Sequence, residues 1–303
     1  MMRASVCAAF ALALAGTAHA VEIVDPSASY PEGAYWRDGR AYYTEMGADQ
    51  VSTADAKGKQ VYWRARGCGP TSIATYGPGL LVLCHPGGAL VALDADGRSI
   101  RQWNRTDGGQ PLQDPNDSSP DGRGGVYVSD PGVFSMSAPV TGAILHLTAD
   151  GALKRVADGL RYPNGVFVDQ RQNALYVDEH LKRRILKFPI LPDGSLGDFT
   201  VFADLNRLTH RVGDYAEAGP DGLERGPDGD LYVCLYGEGR ILRLSPQGRI
   251  VASIPVPTPY VTNIAFAPDG SAYVTGSFEN LAPPFPGQVM RLSPAQLRGA
   301  PDR

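Results

Sequence analysis

Pro163-Asn164-Gly165-Val166-Phe167-Val168-Asp169 is followed by Leu175-Tyr176-Val177 and then by Ile185-Leu186-Lys187-Phe188. A turn opens the unit, and short apolar strands follow with turns between them. The same order returns at Gly219-Pro220-Asp221, Leu231-Tyr232-Val233 and Ile241-Leu242-Arg243-Leu244. Working outward, further copies open at Pro31-Glu32-Gly33, Gly69-Pro70-Thr71, Pro115-Asn116-Asp117 and Val261-Thr262-Asn263. Their second strands are Ala41-Tyr42-Tyr43, Leu80-Leu81-Val82-Leu83, Val126-Tyr127-Val128 and Ala272-Tyr273-Val274. Six copies at roughly 39–57 residue spacing, each holding three or four short strands, fit a radial repeat of sheets. A β-sandwich also uses alternating strands and tight turns, but it has no need of six equivalent units. The expected fold is therefore all-β: a six-bladed β-propeller with four-stranded blades. It forms one domain over residues 21–303, closed by a strand near Val21 to Val24 that joins the last blade.

Composition agrees with a turn-rich chain. Of 303 residues, 36 are Gly and 25 are Pro, which argues against a helical bundle. The 43% hydrophobic content excludes wholesale disorder. The formal net charge is −4 and no basic run occurs, so electrostatic capture of nucleic acid is excluded.

Residues 1–20 stand apart. Arg3, an apolar run from Val6 to Ala15, and Ala18-His19-Ala20 form the pattern of a secretory signal peptide cleaved after Ala20. The run is shorter than the ~20 residues a membrane span needs. Cys7 lies inside it, a poor place for a lipid anchor. The expectation is a periplasmic or secreted protein with no membrane span.

In a propeller the first strand of each blade lines the central channel. The six strand starts are Glu32, Thr71, Asn116, Asn164, Asp221 and Asn263. Each residue taken singly is an ordinary turn residue. Six converging on one axis place oxygen atoms around one channel mouth, where they need a cation or bound water. Oxygen ligands suit Ca²⁺, Mg²⁺ or Mn²⁺, with Zn²⁺ left open. Second strands run back to the same face, which brings His85 and His180 there. His210 lies in the link before Asp221. These three are candidates for substrate contact; otherwise they are solvated loop residues. His146, inside a third strand, packs or faces solvent. The antiparallel first and second strands of one blade also bring Cys68 and Cys84 together, and a disulfide is expected between them. Cys234 has no such partner and reads as a small buried apolar residue. No serine-nucleophile elbow, zinc-peptidase helix, Walker loop or dinucleotide fingerprint is present.

Pro31-Glu32-Gly33-Ala34-Tyr35-Trp36, Pro115-Asn116-Asp117, Val128-Ser129-Asp130-Pro131, Tyr162-Pro163-Asn164-Gly165-Val166 and Gly219-Pro220-Asp221-Gly222-Leu223 occur in one order. With Thr262-Asn263-Ile264-Ala265-Phe266, the chain resembles the senescence marker protein (regucalcin)/gluconolactonase/luciferin-regenerating-enzyme family. The resemblance implies a single divalent ion at the channel mouth, Ca²⁺ first among candidates. It implies Glu32, Asn164 and Asp221 as ligands, Asn116 as a ligand or substrate contact, and Asp221 also as the carboxylate that activates water. It further implies hydrolysis of lactones, with the cation polarising the carbonyl. Where some members place an arginine for sugar hydroxyls, this chain has Asp114, which is kept as a candidate substrate contact. The loops 131–141, with Phe134 and Met136, and 206–219, with His210, Arg211, Asp214 and Tyr215, are long enough to shape a pocket. Two other functions compete: phosphotriester hydrolysis at the same ion, and a non-enzymatic binding or scaffold role with a structural ion.

Overall fold

A computed structural model describes residues 20–55, 58–207 and 218–301. The expected signal peptide falls almost wholly at 1–19, and His210, Arg211, Asp214 and Tyr215 fall at 208–217; all lie outside the described residues.

The fold is all-β and propeller-like. Four antiparallel sheets of four strands follow one another along the chain. The first holds Pro31–Arg37, Arg40–Glu45, Gln50–Asp55 and Gly58–Arg64, paired in that order. The others occupy 70–103, 118–160 and 163–204 in the same meander. First strands touch in sequence, from Pro31–Arg37 through Pro70–Tyr76, Ser118–Pro120, Pro163–Asp169 and Gly219–Arg225 to Tyr260–Phe266, which returns to Pro31–Arg37. This ring encloses the channel.

Why these strands read as near-continuous apolar runs is clear from their surroundings. Second strands such as Gly79–Cys84 and Leu231–Tyr236 are buried along their whole length, because both faces of each sheet pack on neighbouring sheets. The core is thus a set of apolar seams between sheets. Leu81, Leu83, Leu90 and Trp103 meet Val126, Val128, Leu145 and Leu147 in one seam. Tyr127, Ile144 and Leu160 meet Val166, Leu175 and Val177 in the next. Each fully buried leucine or isoleucine contributes about 1.5–3 kcal/mol. Outer strands carry the polar surface, as in Ser99–Trp103, where only Trp103 is buried. With the apolar residues in the seams, the first strands are free to carry polar groups on the axis.

The expectation of six separate blades is corrected. The last seven strands and Glu22–Ser29 form one eight-stranded sheet, in which the meander 219–255 is joined to 260–292 through the single pair Tyr236↔Tyr260. The cause is local. Pro31, Pro70 and Pro163 each follow a residue with positive φ, namely Tyr30 (44°), Gly69 (50°) and Tyr162 (55°), and proline brings no N–H to the ladder. Val261 replaces that proline, and Tyr260 is not among the residues with positive φ. Tyr260 pairs with Tyr236 at this one position.

Closure uses the start of the described chain. Glu22–Ser29 lies antiparallel on Pro286–Leu292, from Glu22↔Arg291 to Ser29↔Pro286, and buries Ala28 against Tyr43, Ala54 and Val289. Glycine is needed where inner strands crowd. A Cβ on Gly165 would fall 2.2 Å from the Asp221 carbonyl oxygen, and one on Gly33 2.6 Å from that of Thr71.

Candidate active site

Proline sets the level of the channel mouth. The residue after it, Glu32, Thr71, Asn116, Asn164 or Asp221, is buried and lines a cavity of about 120 Å³. Asn263 does not belong to this set. Its strand bulges between Val261 and Asn263, and Thr262 takes the level of the other five. Thr262 Oγ1 donates to the Pro31 carbonyl at 2.8 Å, just as Thr71 Oγ1 donates to that of Asn116 at 2.7 Å. Two threonines thus fasten neighbouring first strands to each other. Asn263 lies one step deeper, beside Asp117, Ser72 and Glu224 in a separate pocket at the other end of the channel. With no proline to mark the register, sequence spacing sets this copy one residue off.

The floor of the mouth is acidic. Burial, followed by the Asp221 and Asp117 charges, pushes the Glu32 carboxyl well above its usual range. Burial and then Asp117 do the same to Asp221, with the Gly222 N–H and the Asn164 side chain pulling more weakly in the other direction. Asn164 therefore turns its amide nitrogen to Asp221. Its Oδ1 is buried with no hydrogen-bond partner. Beneath them, Asp178 Oδ2 accepts the Gly165 N–H at 2.5 Å, and burial and the Asp221 charge raise this carboxyl as well. Asp117 ties three first strands together, accepting from Ser72 Oγ (2.9 Å), Ser118 N (2.8 Å) and Val166 N (3.0 Å). Burial pushes it up to about 6 despite these bonds.

Two buried carboxylates and an orphaned amide oxygen are what a hard divalent cation requires. Two negative charges balance it, oxygen is its preferred donor, and it removes the repulsion that burial imposes. Among the described residues no cluster of three or more His, Cys, Asp or Glu assembles, so an ion held here would take its third oxygen from the Asn164 amide. Glu32, Asn164 and Asp221 fit such an ion.

The remaining candidates divide. His85 lines the cavity, its Nδ1 lying 3.0 Å from the Asp114 carbonyl oxygen, and burial lowers its pKa, which favours the neutral ring. His180 is 1% exposed and lines the cavity from within a cluster of rings. Asp114 does not line it; its backbone fixes His85 and bonds through its N–H to Asp130 Oδ1 at 2.9 Å. Phe134 reaches the cavity from the loop 131–141, whereas Met136 is 56% exposed and does not. Cys68 and Cys84 are bonded, with Cα atoms 4.5 Å apart, and Cys234 is buried.

Tyr30, Met46, Tyr162 and Tyr236 also line the mouth, and sequence reasoning misses all four. A signal exists for two of them. Tyr30 and Tyr162 each precede a first-strand proline and share the left-handed backbone that turns the chain into the channel. The Tyr30 and Tyr236 hydroxyls are 2.8 Å apart, and Asn280 Nδ2 donates to the latter at 2.9 Å.

A propeller-like ring with an acidic, oxygen-lined mouth defines a class of small-molecule site at the end of a channel. Within that class the chain belongs to the SMP-30/Gluconolactonase/LRE-like family, whose profile it matches over residues 30–278. It is 25% identical over 195 residues to the lactonase drp35 of Staphylococcus saprophyticus, a match covering 62% of this chain and 57% of that protein. Its fold is similar to that of a gluconolactonase from Xanthomonas campestris (TM-score 0.71, 23% identity, 89% and 88% of the two chains). It is equally similar to that of a calcium-binding regucalcin from Agrobacterium tumefaciens (TM-score 0.71, 19% identity, 90% and 93%).

Proposed function

We propose that this chain hydrolyses lactones with the help of one divalent cation, Ca²⁺ foremost, held by Glu32, Asn164 and Asp221. The observation that carries the reading is the partnerless Asn164 Oδ1 in the cavity that the buried Glu32 and Asp221 carboxylates also line. Lactonase and gluconolactonase relatives support the substrate class. When bound, the cation supplies polarisation of the lactone carbonyl and charge stabilisation for the oxyanion.

The chain's own residues do the rest. Asp221 takes a proton from water as the water oxygen bonds to the carbonyl carbon. The ring C–O bond breaks, and the proton passes to the leaving oxygen, giving a hydroxy acid. Asn164 orients Asp221 through its amide nitrogen, and Asn116 faces the bound lactone beside them. Thr71 and Thr262 fix the spacing of the strands that carry these groups.

The same reading takes the eight-stranded sheet as a fifth and a sixth blade joined at one residue pair, a count supported by the closed ring of first strands. It takes the mature protein as one domain over 21–303, exported to the periplasm or beyond after removal of residues 1–20. The Cys68–Cys84 bond supports an oxidising compartment. No helix among the described residues is long and apolar enough to cross a membrane.

The test is a Ca²⁺ titration of lactone hydrolysis with the wild type, Asp221→Ala and Glu32→Ala. Hydrolysis is expected to need the metal and to fall at least ~100-fold in Asp221→Ala. Metal-dependent hydrolysis that survives both substitutions would remove the site from the reaction.

A further inference from the structure

One wall of the mouth is built from rings. Phe134 packs edge-on against Tyr162 (centroids 4.8 Å apart) and His180 (5.2 Å), and His180 packs against Tyr236 (5.9 Å). All four line the cavity, and Met46 extends the apolar surface. No arginine or lysine lines it among the described residues.

Several of the polar groups around this wall are already engaged. The Tyr236 hydroxyl serves Tyr30 and Asn280, that of Thr71 serves the Asn116 carbonyl, His85 Nδ1 faces the Asp114 carbonyl, and the Asn164 amide nitrogen serves Asp221. A polyhydroxylated lactone would press several of its hydroxyls against rings and against donors that have partners. Each hydroxyl left unpaired on burial costs about 1–3 kcal/mol. An alkyl or aryl group there gains instead, at about 0.8 kcal/mol per buried methylene.

We infer that the preferred substrates are lactones whose ring carries an apolar alkyl or aryl substituent, seated against Phe134, Tyr162, His180 and Tyr236. This rests on the lactonase reading above and sharpens it. Phe134 is then a specificity-determining residue, held by a loop that is anchored where Arg161 Nη1 donates to the Met136 carbonyl at 3.0 Å.

The experiment compares kcat/KM for δ-decalactone, unsubstituted δ-valerolactone and glucono-δ-lactone on the Ca²⁺-loaded protein. It adds calorimetric binding of δ-decalactone and glucono-δ-lactone to the metal-free protein. Expected is a kcat/KM at least ~10-fold higher for δ-decalactone than for glucono-δ-lactone, since about 1.4 kcal/mol of apolar contact suffices for a factor of ten. In Phe134→Ala the ratio of δ-decalactone to δ-valerolactone falls about tenfold, mainly through KM. Equal or better turnover of glucono-δ-lactone overturns this inference and leaves the lactonase reading intact. If no lactone is turned over but δ-decalactone alone binds, hydrolysis fails and the apolar specificity of the pocket stands. If neither lactone binds nor turns over, both fall.

Discussion

Asp130 offers a measurement that isolates one buried charge. It is 1% exposed and accepts the backbone N–H groups of Gln113 (3.0 Å) and Asp114 (2.9 Å), which hold the loop that fixes His85. Burial outweighs these bonds and pushes the carboxyl up to about 6 from an ordinary 3.8. A folded-state value above the unfolded one means that folding favours the protonated acid. Its contribution to stability is complete below the ordinary value and is lost as pH rises through about 6. The shift corresponds to a total of ~3 kcal/mol, of which ~1.4 kcal/mol appears between pH 8 and pH 5. The perturbation is Asp130→Asn, which keeps an acceptor oxygen and removes the titration. Urea unfolding of wild type and variant with the metal saturating, at pH 5 through 8, cancels the titration of every other group. The wild type should gain ~1.4 kcal/mol on the variant as pH falls from 8 to 5. Parallel profiles, or a wild type that loses ground at low pH, would refute the claim that burial dominates here.

Two further outcomes follow from buried bonds. Cys68 and Cys84 close a loop of sequence separation 16, so Cys68→Ala/Cys84→Ala should cost ~3 kcal/mol in urea unfolding. An unchanged midpoint after mutation would show that the bond constrains nothing in the unfolded chain. Glu238 binds the Arg183 guanidinium at 2.6 Å through one oxygen and that of Arg240 at 2.6 Å through the other, with all three side chains buried. Glu238→Ala removes the carboxylate shared by two buried guanidinium groups and should cost about 3–5 kcal/mol, read as a fall in Tm; a change under ~1 kcal/mol would mean that solvent replaces the carboxylate.

How much is legible depends on whether a residue carries a local mark. Repeated strands show in any sequence whose sheets are buried on both faces, because Leu80-Leu81-Val82-Leu83 or Leu175-Tyr176-Val177 has no polar side to spare. Glu32, Asn164 and Asp221 are readable because proline pins each to the same level of its strand. Where Val261 stands in for proline, both readings that rely on the mark slip. Spacing puts Asn263 at the mouth although Thr262 occupies that level, and Tyr260 runs on to join two meanders into one sheet. The ring wall is harder to foresee. Phe134, Tyr162, His180 and Tyr236 lie in different stretches of sequence and meet only through the radial arrangement of the sheets. Asp114 looks like a side-chain contact, yet it serves through its backbone, which sequence spacing cannot distinguish.

The pairing of Glu22–Ser29 with Pro286–Leu292 also bears on how the molecule is made. Glu22–Ser29 leaves the ribosome ahead of every other strand of the ring, yet finds its partner only when every other strand of the ring has been synthesised. Until then Ala28 and Tyr43 lack the Val289 side of their seam, and the ring is an open arc with a bare strand edge. Such an arc cannot lock early, so the growing chain stays pliable through most of translation. Whatever handles it in that interval must shield the waiting edge of Glu22–Ser29, whose partner is the last strand of the ring to be made.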